Sequence, residues 1–164
     1  PTPPRARVRP EWGDTVVDPI ARLRAIAQVV GPDADLPRLF QAAKRRPEIP
    51  FLLDHCGMPD LSGGPSYPNA TNLFALSDAP NISVKLSTHV FTHAKQGGST
   101  AAAIAERVVA AFGASRVMWA SDYSVLGLVY ADCVAEAEQA CRDRPPGDRD
   151  TVLGGAAEAM WWPS

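Results

Sequence analysis

Three short apolar runs along the chain each end on polar side chains. The runs are residues 49–55 (IPFLLDH), 82–87 (ISVKLS) and 117–121 (VMWAS). Short apolar runs bounded by Pro, Gly and Asn residues are typical of buried β-strands. We therefore predict three strands. His55 ends the first, Lys85 and Ser87 lie at the end of the second, and Asp122 directly follows the third.

Apolar residues at helical spacing alternate with these runs. The spacing predicts helices over residues 36–46, 100–112, 130–142 and 149–162. A further helix is predicted to begin with Asp18 as its N-cap and Pro19 as its first helical residue. Residues 25–30 (AIAQVV) fit either a continuation of that helix or a short buried strand. The alternation of strands and helices favours an α/β fold with a parallel sheet built from βα units.

Length and composition indicate one globular domain. The chain has 164 residues, of which 46% are hydrophobic and 21% charged, enough to bury a core of ordinary composition. Residues 1–14 are rich in Pro and Arg and show little periodicity, so we expect an extended arm there. Residues 15–164 are expected to form the domain.

Net charge, apolar run length and cysteine usage limit the kinds of partner and the location expected for the protein. The net charge of −2 predicts no basic surface for nucleic acid. Apolar runs in the sequence fall short of the roughly 18 residues that a membrane helix needs, so no membrane partner is expected. The N-terminal PTPPRARVRP lacks the apolar stretch of a secretory signal. Three cysteines without a CxxC motif indicate reduced thiols and predict a cytoplasmic location.

The carboxyl ends of parallel strands meet at one edge, so His55 and Asp122 are expected to lie close together. Strand alternation places His55 on the face of Phe51 and Leu53, and Asp54 on the opposite face, bound to a backbone donor. An Asp can act as a general base on water, and a neutral His can polarise a carbonyl or bind a metal. A hydrogen-bonded structural His and a helix-capping Asp would have the same spacing, which leaves that alternative open.

Two further histidines form an HxxxH pattern, His89 and His93. On a helix this spacing puts both imidazoles on one face, as in a zinc-binding pair. A surface loop beside the mouth of a pocket is the alternative interpretation, because no strong helical signal covers the segment.

Four stretches together resemble one known family. They are RRPEIPFLLDHCGMPD, PNISVKLS, FGASRVMWASDYS and VLGGAAEAMWWP. In order and approximate spacing they resemble the C-terminal half of the amidohydrolase-related family, which includes pyrone-dicarboxylate and sugar lactonases and related decarboxylases. The resemblance implies a partial TIM barrel, with FLLDH, ISVKLS and VMWASD as its sixth, seventh and eighth strands. AIAQVV would then be the fifth strand.

The same resemblance implies roles for five residues. Asp122 would be the general base on the hydrolytic water, and His55 would polarise the scissile carbonyl or bind a metal together with Asp122. Lys85, Ser87 and Tyr123 would contact the substrate. Members of the family differ in metal use, so the resemblance leaves open a divalent metal such as zinc or none.

The sequence therefore leaves three functions open. The first is hydrolysis of a lactone or another small carboxylate substrate by activated water. The second is a metal-dependent decarboxylase of the same superfamily. The third is an inactive half barrel that forms homo-oligomers, because an open sheet exposes strand edges and apolar surface. The third rests on the absence of the family's first-strand His-x-His motif from this sequence.

Overall fold

Five parallel strands form one sheet in the computed structural model, which describes residues 5–8, 13–23 and 25–162. The strands are β1 (Arg5–Val8), β2 (Ile26–Val29), β3 (Phe51–Leu53), β4 (Ile82–Ser87) and β5 (Val117–Ala120). Their order in the sheet follows their order in the chain, and each neighbouring pair is parallel. This is the arrangement of strands in the wall of a TIM barrel, of which a complete one has eight.

Helices follow each strand, as the alternating pattern predicted. They are α1 (Gly13–Arg22), α2 (Leu36–Arg45), α3 (Thr71–Ala75), α4 (Thr88–Gln96), α5 (Ala101–Phe112), α6 (Tyr123–Leu126), α7 (Tyr130–Ala140), α8 (Pro146–Asp150) and α9 (Ala156–Trp161). A π-helical turn, Thr151–Gly155, joins α8 to α9. In the part of the chain that is described, no helix has the length and apolar character to cross a membrane.

The N-terminal third departs most from the sequence predictions. Arg5–Val8, within the segment expected to be an arm, pairs with β2 as an additional strand. The rest of residues 1–14, apart from the start of α1, lies outside the described residues. The helix predicted to begin at Pro19 instead begins at Gly13, contains Pro19 and ends at Arg22. AIAQVV supplies β2, as the strand interpretation required.

Two apolar layers hold the sheet. The face that packs against the helices carries the larger cluster, including Ala27, Val29, Phe51, Leu53, Ile82, Val84, Leu86 and Val117. The opposite face carries a smaller cluster in which Ile26, Leu52 and Met118 pack against Ala156 and Trp161 of α9. Alternation along the strands predicts both sets, because side chains two residues apart share a face.

Polar residues continue the smaller, inner face toward the carboxyl ends of the strands. Gln28 follows Ile26 on β2, and Ser83, Lys85 and Ser87 occupy this face of β4. Gln28, Ser83 and Ser87 are buried, so each needs a hydrogen-bonding partner. The inner face therefore has an apolar floor and a polar upper rim, which is where chemistry is placed in a TIM barrel.

Candidate active site

His55 lies on a left-handed turn rather than on a strand. β3 ends at Leu53, and residues Asp54–Gly57 form a tight turn in which His55 has φ 51° and Cys56 has φ 52°. Left-handed backbone costs about 1–3 kcal/mol for each residue other than glycine and clusters at functional sites. The predicted strand 49–55 is therefore too long, and simple alternation fails for His55. Strand alternation would place the His55 side chain on the helix-facing side with Phe51. The turn instead directs its imidazole to the inner rim.

Asp122 also has left-handed backbone, with φ 50°, and lies two residues after the end of β5. It occupies the N-cap position of α6, but its side chain makes no capping hydrogen bond. Only its backbone carbonyl accepts bonds from the N–H groups of Val125 and Leu126. The carboxylate is thus not the helix cap of the structural alternative and points elsewhere.

The carboxylate of Asp122 meets the imidazole of His55. Nδ1 of His55 lies 3.1 Å from Oδ2 of Asp122 and 3.0 Å from the hydroxyl of Ser87. Ser87 is 0% exposed at the end of β4. The structure therefore brings together three predicted site residues from β3, β4 and β5. The buried hydroxyl of Ser87 contacts the imidazole of His55. Its contact with substrate stays a prediction.

Hydrogen bonding sets the charge of this pair. Burial acts to raise the pKa of Asp122, but hydrogen bonds from His55 and Ser87 outweigh it, and the pKa lies below its ordinary value. The pKa of His55 is raised, chiefly by the hydrogen bond to Asp122 and against the effect of burial. Asp122 is therefore a carboxylate at neutral pH, and His55 binds a proton more readily than a free imidazole.

Lys85 is held by a carboxylate. Its Nζ lies 2.7 Å from Oδ1 of Asp54, and Nε2 of Gln28 donates to Oδ2 of the same carboxylate at 2.7 Å. Asp54 therefore binds two side chains of neighbouring strands, not a backbone donor as predicted. The role of Lys85 as a substrate contact stays a prediction. Sequence reasoning missed Gln28, although a polar residue inside the apolar run AIAQVV is a usable signal of a buried partner.

His89 is a second imidazole at the rim. α4 starts directly after β4, so the HxxxH segment is helical, and the His89 ring centroid lies 5.9 Å from that of His55 and 4.3 Å from that of His93. Nε2 of His89 is buried without a hydrogen-bond partner. Burial, together with the nearby charges of His93 and His55, lowers the pKa of His89. The imidazole is accordingly neutral at physiological pH.

His55 and Asp122 are the side chains that the resemblance assigned to a metal ion. Catalytic zinc has three protein ligands, and structural zinc has four. Among the described residues, no three His, Cys, Asp or Glu side chains are grouped so that they could hold a metal ion. His55 and Asp122 supply two donors that contact each other, so the described residues do not by themselves fit the metal site that the resemblance implied.

Tyr123 follows Asp122 on α6 and is 51% exposed. Its ring packs edge to face on Tyr130, with the centroids 5.9 Å apart. The segment between them is apolar and open, since Val125, Leu128 and Val129 are also exposed. Tyr123 is next to Asp122 in the chain, and its contact with substrate stays a prediction.

Comparison with known proteins adds a sequence relative. L-fucono-1,5-lactonase of Burkholderia ambifaria is 34% identical in an alignment of 132 positions that covers 74% of this chain and 44% of that protein. This chain thus spans less than half the length of the curated relative.

Solved structures share the fold. A zinc-bound amidohydrolase from Burkholderia multivorans superposes with a TM-score of 0.74 at 20% identity, over 94% of this chain and 62% of that chain. A candidate 2-pyrone-4,6-dicarboxylic acid hydrolase from Pseudomonas putida gives a TM-score of 0.68 at 22% identity, over 95% of this chain and 61% of that chain. The fold is therefore a partial barrel of the amidohydrolase type, as predicted.

The model of the family described as Amidohydrolase matches residues 3–161. This match covers nearly the whole chain and includes β1 to β5 with the turns that carry His55 and Asp122. The chain belongs to the amidohydrolase family.

Proposed function

We propose that this protein hydrolyses a lactone by attack of a water molecule that Asp122 deprotonates. The observation that carries the proposal is the contact of 3.1 Å between Asp122 and His55 at the carboxyl ends of β5 and β3. Two relatives named for the hydrolysis of cyclic esters support it. Membership of the amidohydrolase family does not depend on this proposal.

Asp122 and protonated His55 act on different reacting groups, the water and the carbonyl oxygen. Asp122 is ionised, because the hydrogen bonds of His55 and Ser87 lower its pKa, so it can take a proton from water. The water oxygen then bonds to the carbonyl carbon, and negative charge develops on the carbonyl oxygen. Protonated His55 carries hydrogens on both ring nitrogens. While Nδ1 contacts Asp122, Nε2–H is left to donate to the developing oxyanion.

Collapse of the tetrahedral intermediate breaks the ring C–O bond. The proton taken from water then passes to the leaving alkoxide, which becomes a hydroxyl group. The product is an open-chain hydroxy acid, and both site residues return to their starting protonation states. No step requires an oxidant, a reductant or a second substrate.

The experiment compares Asp122→Asn and His55→Gln with the parent chain on a panel of sugar and pyrone lactones, followed by acid release in a pH-stat. Loss of general-base catalysis costs about 10²–10⁴-fold in kcat. We expect this loss for Asp122→Asn with unchanged circular dichroism. Asp60→Asn is the matched control, because Asp60 is an exposed carboxylate that binds only its own loop, through Ser62 and Asn69.

Two outcomes would contradict the proposal. One is an Asp122→Asn variant that keeps full activity. The other is a folded chain that opens no lactone, with or without an added divalent metal. Release of carbon dioxide in place of acid would instead indicate the decarboxylase alternative.

A further inference from the structure

The turn that carries His55 is strained, and something must hold it. His55, Cys56 and Met58 all have left-handed backbone, with φ values of 51° to 52°. Strained residues persist only where the surrounding structure over-determines their conformation. At the end of the turn, Met58 N–H donates to the His55 carbonyl at 2.9 Å. Further contacts that hold the turn come from neighbouring strands.

Asp54 is the residue through which these contacts act. It directly precedes His55, is only 5% exposed, and each of its carboxylate oxygens contacts a side chain of a different strand. Gln28 of β2 binds one oxygen and Lys85 of β4 binds the other, both at 2.7 Å. The thiol of Cys56, on the other side of His55, reaches the backbone carbonyl of Lys85 at 3.4 Å. His55 is thus flanked on both sides by residues fixed to β4.

We propose that Asp54, bound by Lys85 and Gln28, is a positioning residue. It holds the turn in the conformation that places His55 against Asp122. The proposal rests on the proposed function only in taking the His55–Asp122 pair as the site. It assigns Lys85 to the support of the turn, whereas the family resemblance assigned it to the substrate.

Energetics favour a geometric role over a stabilising one. A buried ion pair is weak evidence for stability, because the cost of removing both charges from water offsets much of their attraction. The ion pair with Lys85 and the directional hydrogen bond from Gln28 nevertheless fix the carboxylate in one place. An imidazole displaced by about 1 Å from its productive position can lose about 10²-fold in rate.

The decisive experiment is Lys85→Met, read by the NMR titration of the His55 imidazole. The chain has three histidines, so each resonance can be assigned by single replacement. The charge of Lys85 lowers the pKa of His55 and the charge of Asp54 raises it, so removal of Lys85 with Asp54 still ionised would by itself raise that pKa. Displacement of His55 from Asp122 would lower it, because the bond to Asp122 is the main cause of the raised value. The two explanations predict opposite signs.

We expect the pKa of His55 to fall in Lys85→Met and to be restored in Lys85→Arg, which keeps a cation for Asp54. Gln28→Leu removes no charge, and it should also lower the pKa of His55. In lactone hydrolysis, kcat should fall by about 10²-fold while KM changes little. A rise in KM alone would indicate a substrate contact by Lys85. Lys95→Met, which breaks an exposed pair with Glu136, is the matched control.

An unchanged or raised pKa of His55 in folded Lys85→Met would overturn the inference. Should that variant not fold, Gln28→Leu decides the question by the same titration. The readout needs no turnover, so a chain that hydrolyses no lactone but shows the fall in pKa refutes the proposed function and leaves this inference standing. An active chain whose His55 does not respond refutes the inference alone.

Discussion

Asn81 offers a quantitative test of how β3 is fixed in the sheet. Its side-chain Nδ2 lies 3.1, 3.1 and 3.0 Å from the backbone carbonyl oxygens of Ala43, Arg46 and Ile49. One amide group therefore joins the end of α2 and the entry to β3 to the start of β4. The group has two hydrogens for three acceptors, and each hydrogen bond contributes about 1 kcal/mol net. We expect Asn81→Ala to cost about 2 kcal/mol of unfolding free energy.

Asn81→Asp sharpens this prediction. It keeps the shape of the side chain but places a carboxylate oxygen against the carbonyl oxygens, so each attraction becomes a repulsion. We expect a cost of about 3 kcal/mol or more at pH 7, because a charged group left without a donor costs more than a neutral one. Part of the stability should return at low pH, where the carboxyl group is protonated and can donate again.

Urea unfolding measures both variants, and calorimetry should show a loss of about 2–4 °C in Tm for each kcal/mol. Asn69→Ala is the control, because Asn69 is exposed and binds only Asp60 and Ser62 of the same loop. Asn69→Ala should change the free energy of unfolding by no more than about 0.5 kcal/mol. An Asn81→Asp variant no less stable than Asn81→Ala, or two variants that both match the control, would refute this role of Asn81.

Two further predictions concern the site pair and a close backbone contact. The pKa of His55 is raised above 6.5 and that of Asp122 lowered below 3.8, so their bond stabilises the fold most between these values. Its contribution declines as the pH rises through the raised pKa of His55, so His55→Gln should lower the urea midpoint more at about pH 5.5 than at about pH 9. An equal loss at both would contradict this. Gly97→Ala should destabilise the fold by about 2 kcal/mol or more, since the new Cβ would lie 2.3 Å from the carbonyl oxygen of Leu61. Gly147→Ala, which meets no atom within 4 Å, should be neutral or stabilising, and a similar loss of Tm in both variants would refute the steric argument.

Local patterns predicted the elements better than their ends. Apolar runs located β3, β4 and β5, and helical spacing located α2, α5 and α7 with small errors at their boundaries. Residues 25–30 were ambiguous, because a four-residue strand between helices has no periodicity of its own. β1 was missed for a related reason. Its strand character comes from pairing with β2, and its sequence of alternating Arg and apolar residues gives no core signal.

The sequence by itself brought three residues of the candidate site together. His55, Ser87 and Asp122 each follow an apolar run, and parallel strands bring their carboxyl ends to one edge. It also determined the split between apolar and polar positions on β4, because alternation along a strand is a property of the backbone. These inferences depend on neighbours in the chain, which the sequence displays directly.

Only the tertiary structure decided how these residues meet. The left-handed turn at His55 reverses the face that alternation assigns to it, and that turn is held by Asp54 through Lys85 and Gln28. These partners are distant in the chain, and their contacts depend on the register of three strands. A sequence shows that a buried Asp needs donors, but the choice among donors is made by the distances that the assembled sheet imposes.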